Sequence, residues 1–421
     1  MQAAIEAVDA GRLVERALSD SDLIGQLRSA SAVDVVSAGK AAAPMLVGFA
    51  AASPVPPRSM TGIGPGQPGT LPPGTVWHST AHPVPDERSV SAARRALAVA
   101  ESVTPRGVFV VLLSGGASSL MAKPAGELSL ADKRRTSELL LESGADISET
   151  NTVRKHLSAI KGGRLALAAG GAVLTLVVSD VVGDDLSTIA SGPTVPDATT
   201  FEQALDVLDR RGGRRRYPPP VVRWLTRGAA GDVEETPKPS DPRISRSVAK
   251  IIGGRLTAVA GASRAAEALG YRIHVIEQAV TGEARRAGLA LVDVASWASM
   301  LRDAQPTCIL ASGETTVHVT GQGIGGRNQE CTLAMATRLE TLGPSVVAAS
   351  IGTDGVDGPT DAAGAVADTT TLDRAKAAEL SPPERYFANN DSYTFFNQLG
   401  DLIRTGPTGT NVGDLQVILI G

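Results

Sequence analysis

Short apolar runs set off by glycine dominate the chain. A run without alternation at 172–178 predicts a strand buried on both faces, the pattern of parallel sheets, and strands are also expected at 33–36, short and buried, and at 108–113, the cleanest of the chain. Further strands are expected at 75–78, 249–252, 272–277, 308–311, within 345–352 and at the C-terminus, with a second short strand in TTVHV after an SGETT turn. Apolar residues at helical spacing predict one or two helices over 1–30, then helices from 41 and at 89–102, 151–161, 201–211, 219–228, 257–269, 282–304, from 327 and around 371–403. At least five predicted strands, ending near 37, 114, 179, 312 and 352, run into loops rich in Gly, Ser, Thr or Asp. In parallel sheets such loops gather at one edge, where ligands bind.

The stretch 151–197 carries the densest chemistry: cations first, carboxylates last, and a buried strand between them. Asn151 or Thr152 is expected to cap its helix, with Val153, Leu157 and Ile160 as the apolar stripe. Arg154, Ser158 and Lys161 repeat that spacing about 100° further round the helix, at the edge of the buried face. Solvated helix cations are the alternative. Gly162-Gly163 ends the helix. Asp180 stands at the carboxyl end of the following strand, with Asp184 and Asp185 in the same loop. Magnesium suits few carboxylates plus substrate phosphates, so Asp180 is a candidate metal or cation partner, with helix capping as the rival role.

Other loops repeat the theme. The tight turn Ser37-Ala38-Gly39-Lys40 sits between a strand and a helix, with Lys40 facing a ligand or simply exposed. Ser114-Gly115-Gly116-Ala117-Ser118-Ser119 combines close backbone approach with hydroxyl donors, fitting a phosphate or carboxylate or a plain turn. The Walker spacing is absent from the whole chain. Arg327 follows a formal G-x-G-x-x-G at Gly321, Gly323 and Gly326, at a helix start where a cation opposes the dipole unless an anion is near. Asp354, Asp357 and Asp361 lie in a Gly-rich loop and read as ligand groups or as turn-forming Asp-Gly pairs. Residues 53–87 read as a Pro- and Gly-rich loop, with His82 a weak ligand candidate.

Composition narrows the function classes. The 421 residues suffice for two or three domains, and 43% hydrophobic with 20% charged residues is ordinary for a soluble globular protein. A net charge of −4 and 3% aromatics argue against nucleic acid and acidic membranes. Cys308 and Cys331 make neither a disulfide framework nor a zinc pattern. The N-terminus reads as an amphipathic helix rather than a signal peptide, and the longest uncharged apolar stretch, 165–178, is too short for a bilayer. A cytoplasmic protein is expected. The best domain boundary is PKPSDPRISRS at 237–247.

The motifs SAGKAA, LSGGASSL, NTVRKHLSAIKGGRLA, SDVVGDDLSTIASGPTVPD, GGRNQE, GTDGVDGPTDAAG and TGPTGTNVGDL occur in one order across nearly the whole chain. In this the chain resembles the MOFRL-type, or class II, glycerate 2-kinases. Two departures stand out: the family's Ser-Gly-Gly-Glu-Thr-Thr reads Ala311-Ser312-Gly313-Glu314-Thr315-Thr316, and Gly413 replaces a common Asn. The resemblance implies ATP-dependent phosphorylation of D-glycerate at its 2-hydroxyl with Mg²⁺, with no nucleic-acid or membrane partner; a homodimer is compatible with it. It implies an α/β fold of two three-layer α/β/α domains with mostly parallel, mixed sheets and an interdomain cleft: a Rossmann-like domain over 1–240 and a MOFRL-type domain over 241–421. By motif, Lys40 and Arg327 carry over as the catalytic pair. Gly39, Ser114, Gly115, Gly116, Ser118, Ser119, Arg154, Lys161, Glu314 and Asp354 carry over as nucleotide or substrate contacts, and Asp180 as the metal residue. A nicotinamide-dependent hydroxypyruvate reductase, with Gly321–Gly326 as the dinucleotide loop, is the alternative enzyme; a non-catalytic sugar-acid binder is the third reading.

Overall fold

The computed structural model describes residues 1–300 and 305–421, so the last residues of the helix expected at 282–304 lie outside the described residues. The chain divides into two compact units, Ala10–Ile252 on one hand and Met1–Asp9 with Gly253–Gly421 on the other. The boundary expected at 240/241 thus lies twelve residues ahead of the division, because the strand at 247–253 completes the first sheet. The first nine residues belong to the second unit. There the helix Gln2–Ala7 packs on Arg255–Ala268, and Thr410 Oγ1 donates to the Val8 carbonyl (2.6 Å).

The first unit contains β1 (Val33–Ala38), β2 (Ser59–Gly64), β3 (Val76–Ser79), β4 (Val108–Leu113), β5 (Ala172–Val178) and β6 (Ser247–Gly253), in the order β3-β2-β1-β4-β5-β6. The pairings of β3 with β2, β2 with β1, β1 with β4 and β4 with β5 are parallel, and the apolar run of β4 is buried on both faces, as central parallel strands are. Val36, Ala38, Phe109, Val111 and Val177 pack with Ala92 and Ala96 of the helix Glu87–Glu101 in one core. Asp34 is buried in β1 yet satisfied: Arg58 donates Nε (3.0 Å) and Nη2 (2.5 Å) to it, and Ser59 Oγ adds a third bond (2.7 Å). A separate helical cluster joins Leu139, Leu140, Val153, Phe201, Val221 and Leu225.

The second unit contains β7 (Arg272–Val275), β8 (Val280–Glu283), β9 (Thr307–Thr316), β10 (Val346–Gly352), β11 (Gly364–Asp368), β12 (Leu402–Ile403) and β13 (Asp414–Ile420). The strand order is β12-β11-β10-β13-β9-β7, with β8 also on β9. Here the mixed character concentrates: β12–β11, β11–β10, β10–β13 and β13–β9 are antiparallel, while β7 and β8 run parallel to β9. The α/β class with mixed sheets is therefore as expected.

Local expectations changed in four places. The stretch 53–87, expected as a loop with one edge strand, also carries β2, whose residues 60–64 are buried and paired between β1 and β3. The helix expected at 151–161 spans Ile147–His156 and starts at Asp146, whose carboxylate and Glu149 form a capping box. Asn151 and Thr152 are buried inside it rather than capping it, and 157–161 form a turn in which Ser158 Oγ accepts from the backbone N–H groups of Ile160 and Lys161 (both 3.3 Å). The expected strand–turn–strand over 308–319 is one ten-residue strand. Gly313 serves close approach instead of a turn, since a Cβ there would stand 2.0 Å from the Val280 carbonyl oxygen on β8. The N-terminal thirty residues form three helices, Gln2–Ala7, Ala10–Ala17 and Ser21–Ser29. Among the described residues, no helix is long and apolar enough to cross a membrane.

Candidate active site

The end of β1 and the end of β4 are tied together atom by atom. Ser114 N–H donates to the Ala38 carbonyl (3.0 Å), Lys40 N–H to the Gly115 carbonyl (2.8 Å), and Ala41 N–H to Ser114 Oγ (3.0 Å). This clamp needs Gly39: its φ is +135°, and a Cβ would meet Ser114 Oγ at 2.1 Å and the Ser114 carbonyl oxygen at 2.6 Å. Lys40 is thus presented, half-buried, from a rigid turn at the carboxyl edge of a parallel sheet. Gly116 (φ +83°) is the second close approach, with His82 Nε2 standing 3.0 Å from where its Cβ would be.

Beyond that clamp lies a pocket of about 460 Å³ whose floor includes Ser118, Ser119, Lys133, Arg154 and Lys161. Lys161 is buried, and its ammonium donates to the Ser118 carbonyl (2.9 Å), Ser118 Oγ (2.5 Å) and the Ala190 carbonyl (3.2 Å). Burial, then Lys133 and Arg154, push its pKa well down. Arg154 Nε donates to Ser137 Oγ (3.3 Å), and burial lowers its pKa also. Lys133, on the helix Leu130–Glu142, is 8% exposed and its Nζ has no hydrogen-bond partner. Burial, with Arg154 adding repulsion, pushes it down to about 7. Sequence reasoning missed Lys133. Its signal was a lysine at i with Thr136 and Leu140 at i+3 and i+7, a cation on the buried stripe of an amphipathic helix.

The acidic loop after β5 touches the same region through Ser191, whose Oγ pairs with Ser118 Oγ (3.2 Å) and donates to Asn151 Oδ1 (3.0 Å). Asp180 is half-buried at the start of this loop. Asp185 is committed to the loop itself, accepting from Ser187 N–H (2.9 Å), Ser187 Oγ (2.9 Å) and Thr188 Oγ1 (2.6 Å). Asp184 has φ +53°, and its Oδ1 is buried without a partner. Lys155, next to Arg154 in sequence, turns the other way and pairs with buried Asp197 (3.2 Å).

In the second unit Arg327 opens the helix Arg327–Ala336 and is held in a fork: Nε to Asp414 Oδ2 (2.8 Å), Nη2 to Asp414 Oδ1 (3.0 Å), and Nη1 to Glu314 Oε1 (2.9 Å). The anion that reconciles a cation with the helix dipole is therefore the protein's own. Burial works against this charge, but Asp414, and after it Glu314, outweigh burial and hold Arg327 above its ordinary pKa. Burial raises the Asp414 carboxyl, with Arg327 and Asn328 opposing. Asp357 caps the same helix, accepting from the Asn328 N–H (3.0 Å) and Gln329 N–H (2.8 Å). Burial pushes it up to about 6 against those bonds. Asn328 Nδ2 joins the two carboxylates, at 3.2 Å from Asp357 and 3.0 Å from Asp414. Glu314 thus stands beside Arg327 as a neighbour of the catalytic candidate. Asp354 accepts from Val356 N–H through its side chain (3.2 Å) and from Thr408 N–H through its carbonyl (3.2 Å), shaping the loop after β10. The two departures from the family pattern fit locally: Ser312 Oγ accepts from Arg255 (3.2 Å), and Gly413 has φ +87°, which Asn also tolerates.

The structure thus brings Gly39, Lys40, Ser114, Gly115 and Gly116 together, sets Ser118, Ser119, Arg154 and Lys161 around one pocket, and joins Glu314 to Arg327. No group of three or more His, Cys, Asp or Glu residues able to hold a metal occurs among the described residues.

Glycine-shaped loops at the edge of a parallel sheet, cations without counter-charge around a pocket, and an acidic loop beside them define an α/β enzyme for anionic small molecules. The family model described as a domain of unknown function (DUF4147) matches residues 1–226, and that of the MOFRL family matches 307–414. A D-glycerate 2-kinase of Thermotoga maritima is 41% identical over 352 residues, 82% of this chain and 79% of its own. A putative hydroxypyruvate reductase of Agrobacterium vitis is 42% identical over 395 residues, 92% of this chain and 87% of its own. The crystal structure of the Thermotoga maritima glycerate kinase superposes with a TM-score of 0.88 at 37% identity, covering 99% of this chain and 97% of that one. The chain belongs to the MOFRL-type glycerate kinase family.

Proposed function

We propose that this chain is a glycerate 2-kinase, moving the γ-phosphoryl group of ATP to the 2-hydroxyl of D-glycerate to give 2-phosphoglycerate and ADP. The observation that carries the reading is the likeness to a D-glycerate 2-kinase over four-fifths of the chain, with the motif residues placed as buried or half-buried cations. Phosphoryl transfer through a loose transition state asks a protein mainly for positioning and charge neutralisation. Lys40, fixed by the Gly39–Ser114 clamp, holds phosphoryl oxygens. Asp414 orients Arg327 through Nε and Nη2, so that Nη1, beside half-exposed Glu314, is the arm that meets a substrate oxygen. Magnesium belongs to the same reading. The loop after β5 fits it, because Asp184 offers a buried unpartnered oxygen near Asp180 and magnesium needs only one or two carboxylates beside substrate phosphates. When bound, the ion neutralises phosphate charge. ATP as donor and a cytoplasmic place of action complete the proposal.

The reductase reading draws on the Agrobacterium relative's name. Against it, the glycines of the formal dinucleotide motif make room for the protein itself. A Cβ on Gly321 would meet the Asn389 carbonyl at 2.2 Å, on Gly323 the Asp391 Cβ at 2.4 Å, and on Gly326 the Asp357 Cγ at 2.3 Å. A pyrophosphate would have to take that space. The purified protein should release ADP with D-glycerate and ATP, and Lys40→Ala should lower kcat by at least ~10²-fold, the scale of one transition-state contact. NAD(P)H oxidation with hydroxypyruvate and no ADP release would overturn the proposal.

A further inference from the structure

We propose that the pocket between residues 82–85 and the helix Leu130–Glu142 is the nucleotide site, taking the phosphate chain of a nucleoside triphosphate on Lys133 and Arg154 and its base against Pro83, Pro85 and Leu141. The proposal rests on the kinase reading and says which ligand this pocket serves.

Lys133 carries the argument. A buried ammonium with no carboxylate and no hydrogen bond is a costly arrangement that a purely structural lysine avoids. The same region shows how a structural lysine is treated: Lys161 is as buried, and three protein oxygens surround its ammonium. Lys133 has none and lines the pocket beside Lys161, with the cation of Arg154 near enough to disfavour its charge. Of the other charged groups on the pocket wall, Arg134 adds to the positive field, and Glu138 pairs with Arg135 at the exposed face of the helix (3.3 Å). A polyanion is the natural complement to such a floor. Burial holds Lys133 at about 7, so a bound phosphate would draw it back to the charged form.

The size and walls of the pocket separate the two substrates. A volume of about 460 Å³ lies within the range of pockets for drug-sized ligands and far exceeds what a three-carbon acid fills. Its rim is apolar: Val84 is 50% and Leu141 63% exposed, beside Pro83 and Pro85. An apolar rim over a cationic floor matches a base and ribose attached to phosphates, whereas glycerate has no surface to cover that rim.

The test is a set of full-length variants read by thermal unfolding, calorimetric titration with a non-hydrolysable ATP analogue, and steady-state kinetics. Lys133→Met should unfold at the same temperature as the parent or higher without ligand, because an uncompensated buried charge is gone. It should weaken the analogue's Kd and raise KM for ATP by ~10–100-fold, the worth of a charge-assisted hydrogen bond, and leave KM for glycerate within about twofold. Lys133→Arg should restore most of the binding. Leu141→Ser, at an exposed position, should weaken ADP several-fold and leave inorganic tripolyphosphate unchanged; it decides the matter should Lys133→Met fail to fold. Unchanged nucleotide affinity in folded Lys133→Met, unchanged ADP affinity in Leu141→Ser, or a rise in KM for glycerate alone would overturn the assignment while leaving the kinase reading intact. Lys133-dependent nucleotide binding without turnover of glycerate would instead sink the kinase reading and keep the pocket.

Discussion

Neighbouring cations meet different fates here, and charge pairing decides which. Lys155 sits against buried Asp197, while Arg154, one residue earlier, reaches a pocket that holds no matching acid at its floor. Arg327 is the opposite extreme, a charge that burial would suppress and that Asp414 and Glu314 restore. Removing it strands Asp414, whose side chain is wholly buried. Arg327→Ala should therefore lose about 3–5 kcal/mol of stability in chemical denaturation, the cost of breaking a buried pair from one side. Arg327→Lys keeps a positive charge and should retain more of that stability, yet lose at least ~10²-fold in kcat because an ammonium cannot reproduce the fork. A lysine variant with unchanged kcat would remove Arg327 from the chemistry. Arg327 itself was legible from its place after a glycine loop, but its partner Asp414 lies 87 residues further on, and nothing local ties them.

Elements were easiest to read where their cause is local. The apolar stretches at β1, β4 and β5, interrupted only by Asp34, Ser37 and Thr175, became parallel strands because both faces of each are covered. The turn at Gly39 shows why its glycine matters: it combines a left-handed φ with backbone contact to Ser114. Gly39→Ala should cost about 1–3 kcal/mol for the strained backbone alone, and should lower kcat by displacing Lys40. A folded Gly39→Ala with parental kcat would separate the clamp from the chemistry. Where the cause is not local, the reading failed. SGETT looks like a turn because Gly and Ser favour turns; it remains a strand because β13 pairs with one of its edges and β8 with the other. The helix at 147–156 begins earlier than expected because Asp146 and Glu149 cap it reciprocally, a signal present in the sequence but outranked by Asn151 and Thr152.

At the scale of the molecule, two half-buried or buried acids in the first unit contribute to its stability in acid. Burial works to raise Glu235, but the hydrogen bonds from His156 and Phe201 N–H outweigh it and hold the carboxyl down at about 2, against an ordinary 4.5. Asp197 is likewise held below its ordinary 3.8, with Lys155 and Thr199 overcoming burial. Both pKa values are lower folded than unfolded, so their contribution is fully present above the unfolded values and is lost as pH falls through the folded ones. Thermal unfolding should therefore drop steeply between about pH 4.5 and pH 2, and Glu235→Gln should flatten that slope; an unchanged slope would show that Glu235 does not govern it. The sequence by itself determined the α/β class, the loops at the ends of β1, β4, β5 and β10, and the family, because these rest on local periodicity, turn chemistry and ordered motifs. Only the tertiary structure decided that β6 completes the first sheet and that the first nine residues join the second unit. It alone set the largely antiparallel pairing of the second sheet, the pairing of Arg327 with Asp414, and the isolation of Lys133. Each of these depends on which distant groups share a buried space, and burial with or without a counter-charge is a property of packing that no local pattern records.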